Sequence, residues 1–422
     1  MMQKNKSLCL DECMDRVTLL ANIELAQEDE SITELFIRDI LVDPLIAAAL
    51  TGLLSLERFW ERIVLYHVRA KVEKIVRAAM RMDNVECFRL AGLPQVNHSF
   101  IFDLGDGISR SRRLKKLSLF PFELTANDAT ILAEGLEKNR TLEECNLGGF
   151  PLEIQSITAI ARSLSLNKNF RVLRLDGCSL GDHHVVLLVS YLVNCNFLEE
   201  LSLERNAFCS DGIHAIRTLL ELNKVERLRL SYQRIPRGAR VDLSHLAIAL
   251  PRNTSLKILE LRSNNINDYD LEILALALRK NSTLQCLNVS RNDITDLGVS
   301  NFAQYVHEMT GLRKLFLGGN PFGNFGAQQL LSAVKCNSEL EDVRIPVNTH
   351  VMKQLQEHIC FYLRINMGGR RLLRATNVPL SVWPVMLGRA IRMYRRLNGD
   401  RSSWEEGNFI FNVLKGPILL ER

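Results

Sequence analysis

Residues 256–264 read LKILELRSN, 284–292 LQCLNVSRN, 312–320 LRKLFLGGN and 340–348 LEDVRIPVN. Set above one another, they share apolar residues at positions one, four and six and Asn at position nine. Positions four and six flank a polar fifth, the alternation of a half-covered strand. The segments start 28 residues apart. Working outward, the same pattern starts at Val225 (VERLRLSYQ), Leu198 (LEELSLERN), Phe170 (FRVLRLDGC), Leu142 (LEECNLGGF) and Leu114 (LKKLSLFPF). Weaker copies start at Val85, Trp60 and Ile32. Between the strands, stretches such as YDLEILALALRKNS (269–282) and DGIHAIRTLLELNK (211–224) carry apolar residues at helical spacing. One strand–helix unit cannot bury its own apolar side, so the units must stack into a shared core.

A 28-residue LxxLxLxxN/C period resembles the leucine-rich repeats of ribonuclease-inhibitor type, over residues 31–365. The resemblance implies an α/β fold: a curved leucine-rich repeat solenoid, or horseshoe, of about 12 repeats of about 28 residues. Parallel strands line its concave side, helices its convex side, and helical caps close its ends. Position nine holds Asn206, Asn264, Asn292, Asn320 and Asn348, with Cys178 and Gln233 as variants. A buried side chain there bonds backbone groups freed where the strand turns. In the early repeats Ile40, Val68, Leu93, Phe122 and Phe150 replace it, so distorted loops are expected in that half.

The organisation that follows is an N-terminal helical cap at 1–30 with a helix over Leu8–Ile23, the solenoid at 31–365, and a basic helical cap or tail at 366–422. The last repeat helix is expected at Val351–Ile365. In the tail, Trp383, Leu387, Ile391 and Tyr394 fall on one helical face, and Asn408–Leu420 is a second apolar piece. The tail is similar to one recurring in leucine-rich repeat proteins of some algae. Eleven cations against four carboxylates give residues 360–422 a charge of +7. Such a segment caps open core with solvated arginines, or grips anionic lipid or RNA.

The 422 residues are 47% hydrophobic and 24% charged, ordinary for a folded soluble protein. The net charge of +5 is too small for general nucleic-acid binding. No apolar stretch reaches the roughly 20 residues a membrane span needs. The first fifteen residues, MMQKNKSLCLDECMD, lack the apolar run of a secretory signal. The ten cysteines include no CxxC pair, which points to free thiols in an intracellular compartment, cytoplasmic or nuclear.

Polar strand positions of this repeat point into the concavity. Arg174, Asp176, Glu204, Arg205, Arg229, Tyr232, Glu260 and Arg262 make a mid-chain zone of both charges with a tyrosine. Arg and aromatic residues are the types enriched at binding hot spots, so these eight are the candidate partner-binding residues; a plain solvated strand face is the competing reading. Arg234, Arg237 and Arg240, in the loop of the longest repeat, are a secondary candidate. Phe36, Val64, Tyr66 and Phe120 make the early face apolar, and the segment Pro94–Arg113 is long enough to cover it.

No catalytic or metal-binding spacing is present. GGNPFGNFG (318–326) lacks the Lys-Ser/Thr ending of a phosphate loop, and His183–His184 open a helix without a ligating carboxylate one turn on. The expected function is a non-enzymatic scaffold, free of cofactor and metal, that binds a protein partner on its concave face. One alternative is a regulator of a small GTPase, as the resemblance to a repeat-built GTPase-activating protein implies, although that family's tail is acidic. The other is an adaptor to anionic lipid or RNA through the tail.

Overall fold

Strand and helix alternate along the chain as the 28-residue period predicts. The computed structural model describes residues 7–56, 58–69, 72–81, 85–92, 98–120, 125–234 and 241–367. The chain forms two compact units, Met1–Leu219 and Leu220–Arg422. In the first, eight strands make a parallel ladder: β1 (Ser7–Asp11), β2 (Glu34–Arg38), β3 (Trp60–Tyr66), β4 (Val85–Ala91), β5 (Lys116–Leu119), β6 (Glu144–Asn146), β7 (Val172–Arg174) and β8 (Glu200–Ser202). In the second there are five: β9 (Arg227–Arg229), β10 (Ile258–Glu260), β11 (Cys286–Asn288), β12 (Lys314–Phe316) and β13 (Asp342–Arg344).

Each of these strands pairs in register with the same repeat position of the next, as in Leu259↔Leu287↔Leu315↔Val343. The inner leucines are fully buried: Leu259, Leu261, Leu287, Leu315 and Leu317 each expose 0%. Strands sit about 4.8 Å apart and packed helices about 8–10 Å apart. Within a unit the stack therefore bends towards its sheet, which places strands on the concave side and helices on the convex side.

Position nine works as the sequence predicts where it is polar. Asn292 Oδ1 accepts the backbone N–H of Asn264 (2.7 Å) and Ile266 (3.2 Å), and its Nδ2 donates to the Leu261 and Val289 carbonyls (3.1 and 2.9 Å). Asn320 repeats this towards Asn292 (3.0 Å). Asn348 departs from the expectation. It is exposed, and no bond from it to the preceding repeat forms among the described residues.

A second asparagine row escaped the sequence reading. Asn139, Asn167, Asn253, Asn281, Asn337 and Asn366 are all buried near helix C-termini. Each donates to a carbonyl 25 to 33 residues earlier, as Asn281 does to Leu250 O (2.6 Å) and Asn337 to Val306 O (2.7 Å). Repeat position eight carries a third regularity. Its backbone is left-handed at Asp39, His67, Gly92, Gly149, Gly177, Arg205, Tyr232, Ser263, Arg291 and Gly319. The twist aims the N–H at the position-seven carbonyl one repeat on, as from Arg291 to Gly318 O (2.8 Å).

Three expectations change. There are thirteen strands, not twelve, because Ser7–Asp11 pairs in parallel with β2. The helix expected at Leu8–Ile23 runs instead over Arg16–Glu28, started by the Asp15 carboxylate, which accepts the Thr18 N–H. The first thirty residues thus hold a strand–helix repeat rather than a helix alone. Residues 94–113 do not lie over the early strands as a cover: their described part holds the repeat helix His98–Arg110, buried through Phe100, Ile101, Leu104 and Ile108. The last repeat helix is His350–Ile365. The expected tail helices, and Leu93 and Phe122, lie outside the described residues. No helix among the described residues is long and apolar enough to cross a membrane.

Candidate functional site

The eight candidate residues divide between the two units, four in each. In the first unit their charges are largely neutralised locally. Arg174, on β7, donates from Nε to Glu200 Oε1 at 3.0 Å and lies 3.9 Å from Glu144 Oε2. Glu144 in turn meets Lys116 Nζ at 2.6 Å. Lys116, Glu144, Arg174 and Glu200 form one alternating chain across β5–β8. The Glu200 side chain is 4% exposed, and a buried carboxylate needs its cation. Arg174 is therefore a structural partner. Asp176 is engaged too: its Oδ1 accepts the Ser202 hydroxyl (2.5 Å) and the Glu204 N–H (2.9 Å). Arg205 stands at the left-handed position with φ 58°.

The second unit differs. Arg262 lies with its guanidinium carbon 5.3 Å from the centroid of the Tyr232 ring, and the Tyr232 N–H donates to the Arg262 carbonyl at 2.7 Å. Glu260 accepts from Asn288 Nδ2 at 2.6 Å, and Arg229 is half-buried on β9. Beside Arg262 opens a hollow of about 480 Å³, lined by Asn288, Ser290, Arg291, Phe316, Gly318, Gly319 and Arg344. Of the secondary candidates, Arg234 is exposed, and Arg237 and Arg240 lie outside the described residues.

The repeats of this unit match a family model described as "Leucine Rich repeat" over residues 252–275 and 280–303. The chain carries leucine-rich repeats. No curated protein matches it in sequence. Among solved structures it is similar to an internalin (InlF) from Listeria monocytogenes, at 18% identity, over 80% of this chain and 91% of that one, with a TM-score of 0.45. It is similar to the protein of a TLR13–ssRNA13 complex at 16% identity, over 74% and 37%, with a TM-score of 0.43. It is also similar to leiomodin-1 actin-binding site 2 at 20% identity, over 31% and 76%, with a TM-score of 0.28.

Histidines in these leucine-rich repeats do structural work. His98 Nδ1 sits 2.6 Å from the Asp128 carboxylate, the spacing of a catalytic dyad. That carboxylate also accepts the Thr125 N–H and hydroxyl, closing the capping box of the helix Ala126–Lys138. Burial pushes the Asp128 carboxyl up, but the bonds from Thr125 and His98 outweigh it and hold it below 3.8. His184 accepts the Gly181 N–H at 3.2 Å, and burial lowers its affinity for a proton. Among the described residues no cluster of three His, Cys, Asp or Glu side chains could hold a metal.

The sequence reading missed Lys116, Glu144 and Glu200 because it followed repeat positions five and seven. These residues occupy position three, which borders the same face. It also passed over Asn288, Ser290, Phe316 and Arg344, which do occupy positions five and seven. Their mixture of types gave no local concentration of charge.

Proposed function

We propose that the chain is a non-catalytic, intracellular scaffold that holds a protein partner on the strand faces of its leucine-rich repeats. Proteins built of such repeats bind protein partners. One observation carries the reading for this chain: Arg262, ordered against Tyr232, borders an open hollow on the strand face. Arg and Tyr held in place before binding lose little entropy on contact, which makes them efficient anchors. The in-register strands around them form a rigid platform that costs little to order. Free thiols support an intracellular setting. Cys145 and Cys178 are buried in the core, and burial pushes both thiols up to about 12, so they act as small apolar groups.

Affinity capture from nuclease-treated lysate tests this, comparing the intact chain with Arg229→Glu/Tyr232→Ala/Arg262→Glu. A protein retained by the first and lost by the second is the expected result. Identical protein sets from both would remove this face as the binding site.

A further inference from the structure

Charge is distributed unequally over the strand faces of the two units. On β5–β8, repeat positions three, five, seven and eight carry Lys116, Arg174 and Arg205 against Glu144, Glu200, Asp176 and Glu204. On β9–β13 the same positions carry Arg227, Arg229, Arg262, Arg291, Lys314 and Arg344 against only Glu260 and Asp342. Both of those carboxylates are engaged: Glu260 by Asn288 at 2.6 Å and Asp342 by Arg344 at 3.2 Å. Among the described residues neither Arg262 nor Arg291 has an ion-pair partner, and the buried Arg262 Nε has no hydrogen-bond acceptor.

Three of these cations meet at the hollow. Arg262, Arg291 and Arg344 stand around it, and Asn288 and Ser290 add polar groups. Gly318 leaves its middle open: a Cβ there would meet nothing nearer than the Ile345 carbonyl oxygen at 3.9 Å. Gly319 lets Arg291 lie across the rim, since a Cβ at that position would come 2.9 Å from Arg291 Cγ. Arg291 itself takes the left-handed backbone, φ 55°, that glycine takes at Gly149, Gly177 and Gly319. An arginine at such a position costs about 1 kcal/mol over glycine.

We infer that this hollow receives carboxylate side chains from an acidic segment of the protein partner; the inference rests on the scaffold reading above. Guanidinium groups pair with carboxylates through two parallel N–H donors, and Arg262 and Arg291, without a carboxylate partner among the described residues, stand with Arg344 around a small hollow that selects for clustered Asp and Glu. Nucleic acid fits less well. The Phe316 ring, which lines the hollow, is covered by Arg344 at 5.7 Å, so bases lack that stacking surface.

The test uses the full chain and a fluorescein-labelled peptide of alternating Glu and Gly, read by anisotropy at low salt. A Gln–Gly peptide and an oligothymidylate serve as comparisons. Arg291→Glu/Arg344→Glu is expected to weaken Glu–Gly binding by about tenfold or more. Gly318→Leu, whose Cβ meets nothing nearer than 3.9 Å and whose side chain adds bulk to the hollow, should weaken it as well. Arg110→Glu/Arg171→Glu changes net charge equally on the first unit and should leave binding within about twofold. The inference is overturned by absent Glu–Gly binding, by equal weakening in both charge-reversed pairs, or by tighter binding of oligothymidylate. If the acidic peptide fails while a captured partner is still lost with Arg229→Glu/Tyr232→Ala/Arg262→Glu, the scaffold reading stands and only the acidic chemistry falls.

Discussion

After β2 and β3, position nine is filled by Ile40 and Val68; after β10, β11 and β12 it is filled by Asn264, Asn292 and Asn320. All five are buried, yet the backbone around them is satisfied in different ways. In the late repeats the strands stop at three residues, and asparagine side chains bridge the freed groups of adjacent turns. In the early repeats the strands run to five and seven residues. There the backbone bridges itself around position nine: Arg69 N–H to Ile40 O and Val42 N–H to Arg69 O, each at 2.9 Å. After β2 and β3 an apolar residue at position nine goes with a ladder that continues past it. The irregular early sequence thus encodes a longer ladder.

The sharpest way to break this comparison is Asn292→Ala. It strips partners from the buried N–H groups of Asn264 and Ile266 and removes a bond from each of two buried carbonyls, so a loss of about 3 kcal/mol is expected. Denaturant unfolding should show it, with hydrogen exchange quickening at Asn264 and Ile266. An unchanged midpoint would mean the asparagine row is not what holds the turns.

Ile40→Asn probes the other side. The neighbouring backbone already has its partners, so the amide would be buried without them. A cost of about 2 kcal/mol is expected; a neutral result would show that the early turns do have room for an asparagine bridge.

The smallest effect concerns position eight, shared by both kinds of turn. Ser263→Gly should relieve left-handed strain and stabilise by up to about 1 kcal/mol. Asp39→Gly should gain nothing net, because Asp39 Oδ1 bonds His67 Nδ1 at 3.1 Å. Thermal melts of the two variants would separate these outcomes, and equal gains would remove the Asp39–His67 pair from the account.

These particulars show what the sequence could reveal. Apolar residues, mostly leucine, recur at positions one, four and six, because the repeats bury them in the same place, and the fold is legible from them. Ser7–Asp11 was misread because its alternating Leu8 and Leu10 are followed closely by an apolar helix, and the two periods merge. The second asparagine row was visible as N-x-x-L before each strand, as in Asn253–Leu256 and Asn281–Leu284, but nothing local marks those residues as buried. The candidate site was legible only in part. Residue type identified Arg174 and Arg262 alike, whereas their roles depend on neighbours far along the chain: Glu200 for one, Tyr232 and the hollow for the other.

The in-register pairing of the strands also bears on how the chain finds its structure. A strand meets the strand one repeat away in sequence, so the loops closed in building either unit are short. Contacts of low sequence separation form fast, and a stack of near-equivalent units can begin at any pair and grow in both directions. Within the second unit, the consecutive repeats of β10 and β11 already contain both partners of the bond from Asn264 N–H to Asn292 Oδ1. That pair of repeats is a self-contained seed: two strands, one helix and one asparagine bridge, from which the remaining turns can propagate without waiting for distant chain to arrive.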